Sequence, residues 1–246
     1  MVLELGFLGI VVGVLSGFFG IGGGTILVPI LLFIGFDIKT AIGISVIQMV
    51  FSSLYGSYLN FKKGTLDFQM VLIIGVGGFL GALFSSLVIA NVASITLEIV
   101  FLLFVLFALI RMYFKPKEDA APKQPHSVLL FFIGLVLGLF SISIGVGGSI
   151  LLVPLLVGFL HVSLKNAISA GLFFVVFSSV SGVISLGFGG TLDYESGIVI
   201  GLASLLGVAL GVWLKHKTND VIQKRLLMMF YIAVATYLFY RLVVSG

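Results

Sequence analysis

Apolar residues run along this chain in long blocks, and two of those blocks are interrupted by glycine rather than by charge. Residues 5–36 carry no charged side chain, a stretch of 32 residues. As one straight helix it would extend about 48 Å, well beyond a hydrocarbon core of roughly 30 Å. The cluster Gly20-Ile21-Gly22-Gly23-Gly24 divides it into segments 3–19 and 25–36. The second segment would reach only about 18 Å as a helix, which suits a re-entrant arm better than a full crossing. Asp37 and Lys39 close the run, and crossings are predicted at 40–60, 69–90 and 94–113, with a tight turn at Asn91. The pattern then recurs: an apolar segment 128–144, a second break Gly145-Val146-Gly147-Gly148-Ser149, an arm 150–160, and crossings at 167–187, 196–214 and 221–244.

The recurrence holds residue by residue. Gly9, Gly13, Gly20, Gly22, Gly23 and Pro29 match Gly134, Gly138, Gly145, Gly147, Gly148 and Pro154 at a spacing of 125. One inserted residue moves the spacing to 126, at which Ser52, Ser53 and Gly56 match Ser178, Ser179 and Gly182. The loop Gly64-Thr65-Leu66-Asp67-Phe68 then falls on Gly190-Thr191-Leu192-Asp193-Tyr194. Chance likeness between apolar helices does not place a polar loop at a constant offset, so the chain is an internal duplication. The one hydrophilic stretch, 111–126, holds Arg111, Lys115, Lys117, Glu118, Asp119 and Lys123 with three prolines. It divides the chain into a first membrane repeat (1–113), a cytoplasmic linker (114–126) and a second membrane repeat (127–246).

Composition settles the class. With 60% hydrophobic residues, 9% charged and a mean hydropathy of +1.33, the chain lies far from soluble averages of roughly half apolar and a quarter charged. It reads as an all-α polytopic membrane protein. Hydropathy continuing to the C-terminus excludes a secretory signal as its sole cause. Cysteine is absent, which removes disulfide and thiolate chemistry. The net charge of +4 calls for no nucleic acid, because cytoplasmic loop lysines and arginines account for it.

Charge also chooses between parallel and inverted halves. With four full crossings per half, the two sides hold seven and six Lys/Arg, which is no bias. If each glycine-split segment enters and leaves on one side, three crossings remain per half and the halves are inverted. Eleven cations (Lys62, Lys63, Arg111, Lys115, Lys117, Lys123, Lys165, Lys215, Lys217, Lys224, Arg225) then share one side, against Lys39 and Arg241 on the other. Lysine and arginine favour the cytoplasmic side, so the inverted arrangement is expected, with both termini outside a plasma (inner) membrane. Each half is then a Gly-broken re-entrant hairpin plus three transmembrane helices. Ten full spans would give the same charge count, so arm length alone separates re-entry from crossing.

Unwound backbone at membrane depth needs partners within the protein or a water-filled cavity. Two helix N-termini facing one cavity, with no carboxylate nearby, attract an anion. The candidate substrate-binding residues are Gly20, Gly22, Gly23, Gly24 and Thr25 with Gly145, Gly147, Gly148 and Ser149. Ser45, Gln48 and Ser52 share one face of the following helix, and Ser178 sits on its counterpart; Ser181 lies on that helix too. Glycine and serine also pack membrane helices without touching a ligand. Lys39 and Lys165 read as interfacial anchors, and Glu4, Glu98 and Glu195 lie near helix ends. His126, His161 and His216 are too scattered for a metal site. No nucleophile–base pair lies within the membrane segments, so an enzyme is not expected.

With those residues in view, the chain resembles the TauE/SafE family of membrane permeases, the sulfite exporter group. The resemblance rests on Gly20-Ile21-Gly22-Gly23-Gly24 through Pro29, its second copy through Pro154, and the helix starts Thr40-Ala41-Ile42-Gly43 and Asn166-Ala167-Ile168-Ser169. It covers essentially the whole chain, and it implies transport of sulfite or small organosulfur anions, commonly export across a bacterial inner membrane. Ser149 stands where the first copy has Gly24, so the two half-sites are unequal. The expected function is secondary transport of a small anion by alternating access, with a passive anion channel as the alternative and a non-transporting assembly subunit behind it. Expected partners are that anion and membrane lipids, with H+ or Na+ as coupling ion and a homo-oligomer both left open; no cofactor is implied.

Overall fold

Without water to satisfy its amides, a chain in hydrocarbon must close its own backbone hydrogen bonds, and helices do this within each segment. The computed structural model describes residues 2–65, 68–113 and 126–245, and those residues form eleven helices and no strand. They are α1 (Val2–Phe19), α2 (Gly24–Ile34), α3 (Ile38–Lys62), α4 (Phe68–Ala82), α5 (Ser85–Asn91) and α6 (Ser94–Tyr113), then α7 (Ser127–Ser143), α8 (Ser149–Phe159), α9 (Leu164–Phe188), α10 (Tyr194–Lys217) and α11 (Asp220–Ser245). Of the expected linker only His126 is among the described residues, and Leu66 and Asp67 of the first loop copy lie outside them too.

Six helical stretches are long and apolar enough to cross a membrane: α3, α4 with α5, and α6 in the first half, and α9, α10 and α11 in the second. That is the three per half expected, and the chain is a multi-pass membrane protein. The arms α2 and α8 have 11 residues each, about 16 Å, too short to span. The crossing expected over 69–90 is interrupted at Leu83 and Phe84, between α4 and α5, whereas its counterpart α10 is continuous. Polar caps set the helix starts. The Asp37 carboxylate accepts the N–H groups of Lys39 and Thr40 at 2.9 and 3.1 Å, and Ser163, its match at 126, accepts Asn166 at 3.4 Å.

The halves are interleaved. Helix α1 of the first half lies along α10 of the second, and α7 lies along α4. Glycine permits both approaches. A methyl group added to Gly13 would lie 2.2 Å from the Ser204 carbonyl oxygen, and one added to Gly138, its repeat partner, 2.1 Å from that of Gly78, the partner of Ser204. Gly81 against Leu135 and Gly207 against Ile10 (1.9 and 2.0 Å) repeat the exchange. Reciprocal contacts of this kind are what a two-fold relation between halves produces. Helices α3 and α9 cross at the centre and run antiparallel: Thr65 meets Ser169 at one end, and Gly43 meets the Thr191 carbonyl at the other.

Two arginines tie the arms to the opposite half. The Arg111 guanidinium, on α6, donates to the Gly158 carbonyl at the end of α8 and lies over the Phe159 ring. Arg241, on α11, donates to the Leu32 carbonyl at the end of α2 and pairs with Glu98 at 3.1 Å. Both cations sit at a helix C-terminus, where the carbonyls carry partial negative charge; the Leu32 carbonyl also accepts the Gly35 N–H at 3.2 Å. Each had counted as a loop or boundary charge in the sequence.

Replacing Gly81 by alanine forces a methyl group into the Leu135 carbonyl, an overpacking cost of about 1–3 kcal/mol. Gly6, also helical, has nothing within 4 Å of an added methyl. Thermal unfolding in detergent should show Gly81→Ala clearly destabilised and Gly6→Ala not; equal behaviour of the two would refute glycine-mediated packing of α4 on α7.

Candidate functional site at the paired glycine breaks

The first turn of an α-helix leaves N–H groups unpaired, and a polar N-cap side chain ordinarily accepts one of them. The N-caps of α2 and α8 are Gly23 and Gly148, which have no side chain to offer. The Gly23 carbonyl accepts from Ile26 and Leu27, and that of Gly148 from Leu151 and Leu152. The N–H groups of Gly24 and Thr25, and of Ser149 and Ile150, are left without an intrahelical acceptor. Neither arm carries a charged side chain, so the positive end of each helix dipole is not offset from within the arm.

The chain reaches these starts through left-handed glycines at matched positions. Gly20, Gly22 and Gly23 have φ of 70, 72 and 77°, and Gly145, Gly147 and Gly148 have 73, 75 and 86°. Only glycine takes such angles without a steric penalty. Pro29 and Pro154 lie inside the arms, which begin earlier, at Gly24 and Ser149. Each proline therefore also frees the carbonyl four residues before it, at Thr25 and Ile150.

The two breaks meet. A methyl group on Gly24 would lie 2.0 Å from the Gly145 carbonyl oxygen. Gly22 packs on Val175, and Gly147 packs on both Met49 and Val175, residues matched at 126. All thirteen residues expected at the site are buried. Gly20 and Gly145 rest on Ile168 and Ile42, again a matched pair, so each break seats on the central helix of the other half.

Side chains around the crossing divide into engaged and unengaged groups. The Ser178 hydroxyl donates to the Gly147 carbonyl at 3.0 Å, Thr25 to Ile21 at 3.5 Å and Ser52 to Met49 at 3.4 Å. Gln48 stands apart: among the described residues neither its amide nitrogen nor its oxygen has a partner, and a methyl on Gly23 would lie 2.3 Å from that oxygen. The hydroxyls of Ser45 and Ser149 are likewise buried and unpartnered. Burying such groups without partners costs about 1–3 kcal/mol each, so their presence here marks a place where something else can bond to them. Ser181 belongs elsewhere, since it donates to the Phe79 carbonyl on α4.

Several residues at the crossing escape a search for polar side chains. Met49, Val175 and Phe174 are apolar and touch the glycines directly; Phe174 occupies, against Gly148, the place that Gln48 occupies against Gly23. The repeat offset identifies Phe174 once Gln48 is chosen, and Val175 once Met49 is. Ser16 and Ser141, matched at 125 and just ahead of the breaks, are a second pair of buried unpartnered hydroxyls. A groove of 420 Å³ between α4 and α9, lined by Val76, Phe79, Leu80, Val176, Phe177 and Val180, has no polar side chain with which to hold an ion.

Comparison with known proteins agrees in extent with the duplicated plan. The family model described as "Sulfite exporter TauE/SafE" matches residues 5–238. The chain is 27% identical over 219 residues to "Probable membrane transporter protein YdhB" of Bacillus subtilis, covering 86% of this chain and 88% of that one. It is 27% identical over 186 residues to "Probable membrane transporter protein MJ0441" of Methanocaldococcus jannaschii, covering 72% and 69%. Over 101 residues it is 35% identical to "Sulfite exporter TauE/SafE family protein 5" of Arabidopsis thaliana, covering 39% of this chain and 22% of that one. No solved structure matches it.

The contrast between engaged and unengaged groups is measurable. Ser178→Ala removes a buried hydrogen bond and should lower stability by about 0.5–1.5 kcal/mol. Gln48→Leu removes two unsatisfied groups at similar volume and should leave the ligand-free protein as stable or more so. Thermal unfolding that ranks Gln48→Leu below Ser178→Ala would mean the amide has a partner.

Proposed function

The chain belongs to the Sulfite exporter TauE/SafE family, and on that premise we propose that it is a secondary transporter of small anions, with sulfite or an organosulfur anion as substrate and export as its direction. The observation that carries this is the meeting of two uncapped helix N-termini beside the unpartnered Gln48 amide. Amide hydrogens of Gly24, Thr25, Ser149 and Ile150 are the donors in this reading, and the Ser45, Gln48 and Ser149 side chains orient the anion. Gly20, Gly22, Gly23, Gly145, Gly147 and Gly148 let the backbone approach it, while Ser52 and Ser178 hold the surrounding turns. Every one of these residues is buried, so an anion reaches them in this reading only when the halves move apart.

Alternating access follows from the same plan. The antiparallel crossing of α3 and α9 and the reciprocal α1–α10 and α7–α4 contacts support inverted repeats, and the arms of 11 residues support re-entry. Rocking one interleaved bundle against the other would separate Gly24 from Gly145 toward one side at a time. The repeats are then 1–113 and 127–246, with 114–126 a cytoplasmic linker and both termini outside the plasma membrane. Lys165, paired with Asp220 at 3.3 Å, and Lys62, over the Tyr58 ring, lie on the linker side of this arrangement.

Two measurements test the reading. In proteoliposomes, sulfite or sulfonate flux should saturate and show counterflow, and Gly23→Val should reduce it at least tenfold; flux without saturation or counterflow would indicate a channel. In this cysteine-free chain, single cysteines at Lys62, Lys123 and Lys217 should react only from the cytoplasm and one at Lys39 only from outside. Labelling of Lys62 and Lys217 from opposite faces would overturn the inverted topology.

A further inference from the structure

Lys215 had counted as a loop cation beyond a span ending at 214. Instead α10 continues to Lys217, and the Lys215 side chain is fully buried among α3, α9 and α10. Its ammonium donates to the Asn60 amide oxygen and, at 2.9 Å, to the Ser169 hydroxyl, both also fully buried. Asn60 is aimed by its own amide nitrogen, which donates to the Gly56 carbonyl at 2.9 Å. Ser169 donates to the Lys165 carbonyl and meets the Thr65 hydroxyl at 2.8 Å. Among the described residues no carboxylate pairs with Lys215, and the charge beside it, Lys165, is of like sign and already paired with Asp220.

A buried ammonium with only neutral partners is costly, and an anion is the natural complement. Among the described residues it uses two of its three donors, which leaves the third N–H for a ligand. The surroundings are cationic as well: His216, next in sequence, has Lys63, Lys165 and Lys215 as charge neighbours. The cluster and the glycine crossing share α9. Ser169 is two residues from Gly171 along that helix, about 3 Å of rise, and faces away from it. A methyl on Gly171 would lie 3.1 Å from both the Gly20 carbonyl oxygen and the Ser149 side chain.

The duplication supplies the control. At the 126 offset the counterparts of Asn60, Ser169 and Lys215 are Leu186, Gly43 and Ile89, all buried. The second location packs without any of the three polar groups, so repeat packing does not demand them.

We infer that Lys215, Asn60 and Ser169 form a second anion-binding site, for a small oxyanion of the sulfite type, on the Lys62–Lys63 side of the glycine crossing. It rests on the anion-transport reading and adds to it a waiting position between the central site and one face of the membrane. An anion there neutralises the lysine, and it moves on by exchanging one set of N–H donors for the other.

The test is calorimetric titration of the full-length protein in nanodiscs with sodium sulfite, against sodium chloride at matched ionic strength. The wild type should bind two equivalents of sulfite, and Lys215→Ile, the side chain carried at the matched position, should bind one. Gln48→Leu should also bind one, and the double variant none. Two equivalents with unchanged affinity in Lys215→Ile overturn the inference, as does a single equivalent that this substitution leaves untouched. Loss of an equivalent in Lys215→Ile but not in Gln48→Leu keeps this site and removes the central one, whereas no binding by the wild type removes both. Should Lys215→Ile fail to fold, Asn60→Leu and Ser169→Gly carry the same expectation and decide the matter.

Discussion

A peptide group inside a bilayer must be bonded within the protein, and most of this structure follows from how two short segments meet that demand. At each break the chain leaves helical geometry through three left-handed glycines, then re-enters a helix whose cap residue has no side chain. Were these segments exposed to lipid, their bare amides would cost several kcal/mol each. They are tolerated because each is enclosed by the other half: Gly24 on the Gly145 carbonyl, Gly20 on Ile168 and Gly145 on Ile42. Interleaving of α1 with α10 and of α7 with α4 forms the scaffold around that enclosure. Glycine appears at those interfaces for a different reason from that at the breaks, since there it removes bulk between backbones rather than permitting an unusual angle.

Much of this was legible in the order of residues. Hydropathy marks the six long spans, because a crossing length of apolar residues is a coarse quantity that survives errors of a few positions at each end. Self-comparison at 125 and 126 marks the two breaks as equivalent, and chain length shows that neither 11-residue arm can span. What the sequence hides is direction and contact. It gives no sign that the interruption at Leu83 and Phe84 falls in one half only, or that Arg111 and Arg241 turn inward to bond carbonyls at the ends of α8 and α2. Lys215 is the sharpest case. Three charged or titratable residues in a row at 215–217 look like a solvated helix end, yet a helical turn points successive side chains about 100° apart, and one of the three faces α3 and α9. The candidate site divides along the same line. Positions of the glycines could be read, but whether a given hydroxyl bonds to its own helix, as Ser52 does, or to the break, as Ser178 does, depends on packing.

Departures from the repeat carry more information about function than the repeat itself. Where two halves must pack in the same way, matched positions stay alike: Gly9, Gly13 and Gly81 recur at Gly134, Gly138 and Gly207, and the break glycines recur with similar positive φ. Where they differ, packing has allowed either choice. Gln48 against Phe174, Gly24 against Ser149, and Lys215 with Asn60 and Ser169 against Ile89 with Leu186 and Gly43 are differences of this kind. A strictly symmetric pair of lysines would place two uncompensated ammonium groups on opposite sides of one crossing, and any anion would leave at least one of them bare. Placing the cation in one half avoids that cost. In the proposed transport, an anion leaving the crossing toward Lys215 finds a cation and one leaving the opposite way finds Ile89. In that reading such differences give a duplicated scaffold two unequal half-paths, while the gradient sets the net direction, and the glycine geometry common to both halves leaves room for them.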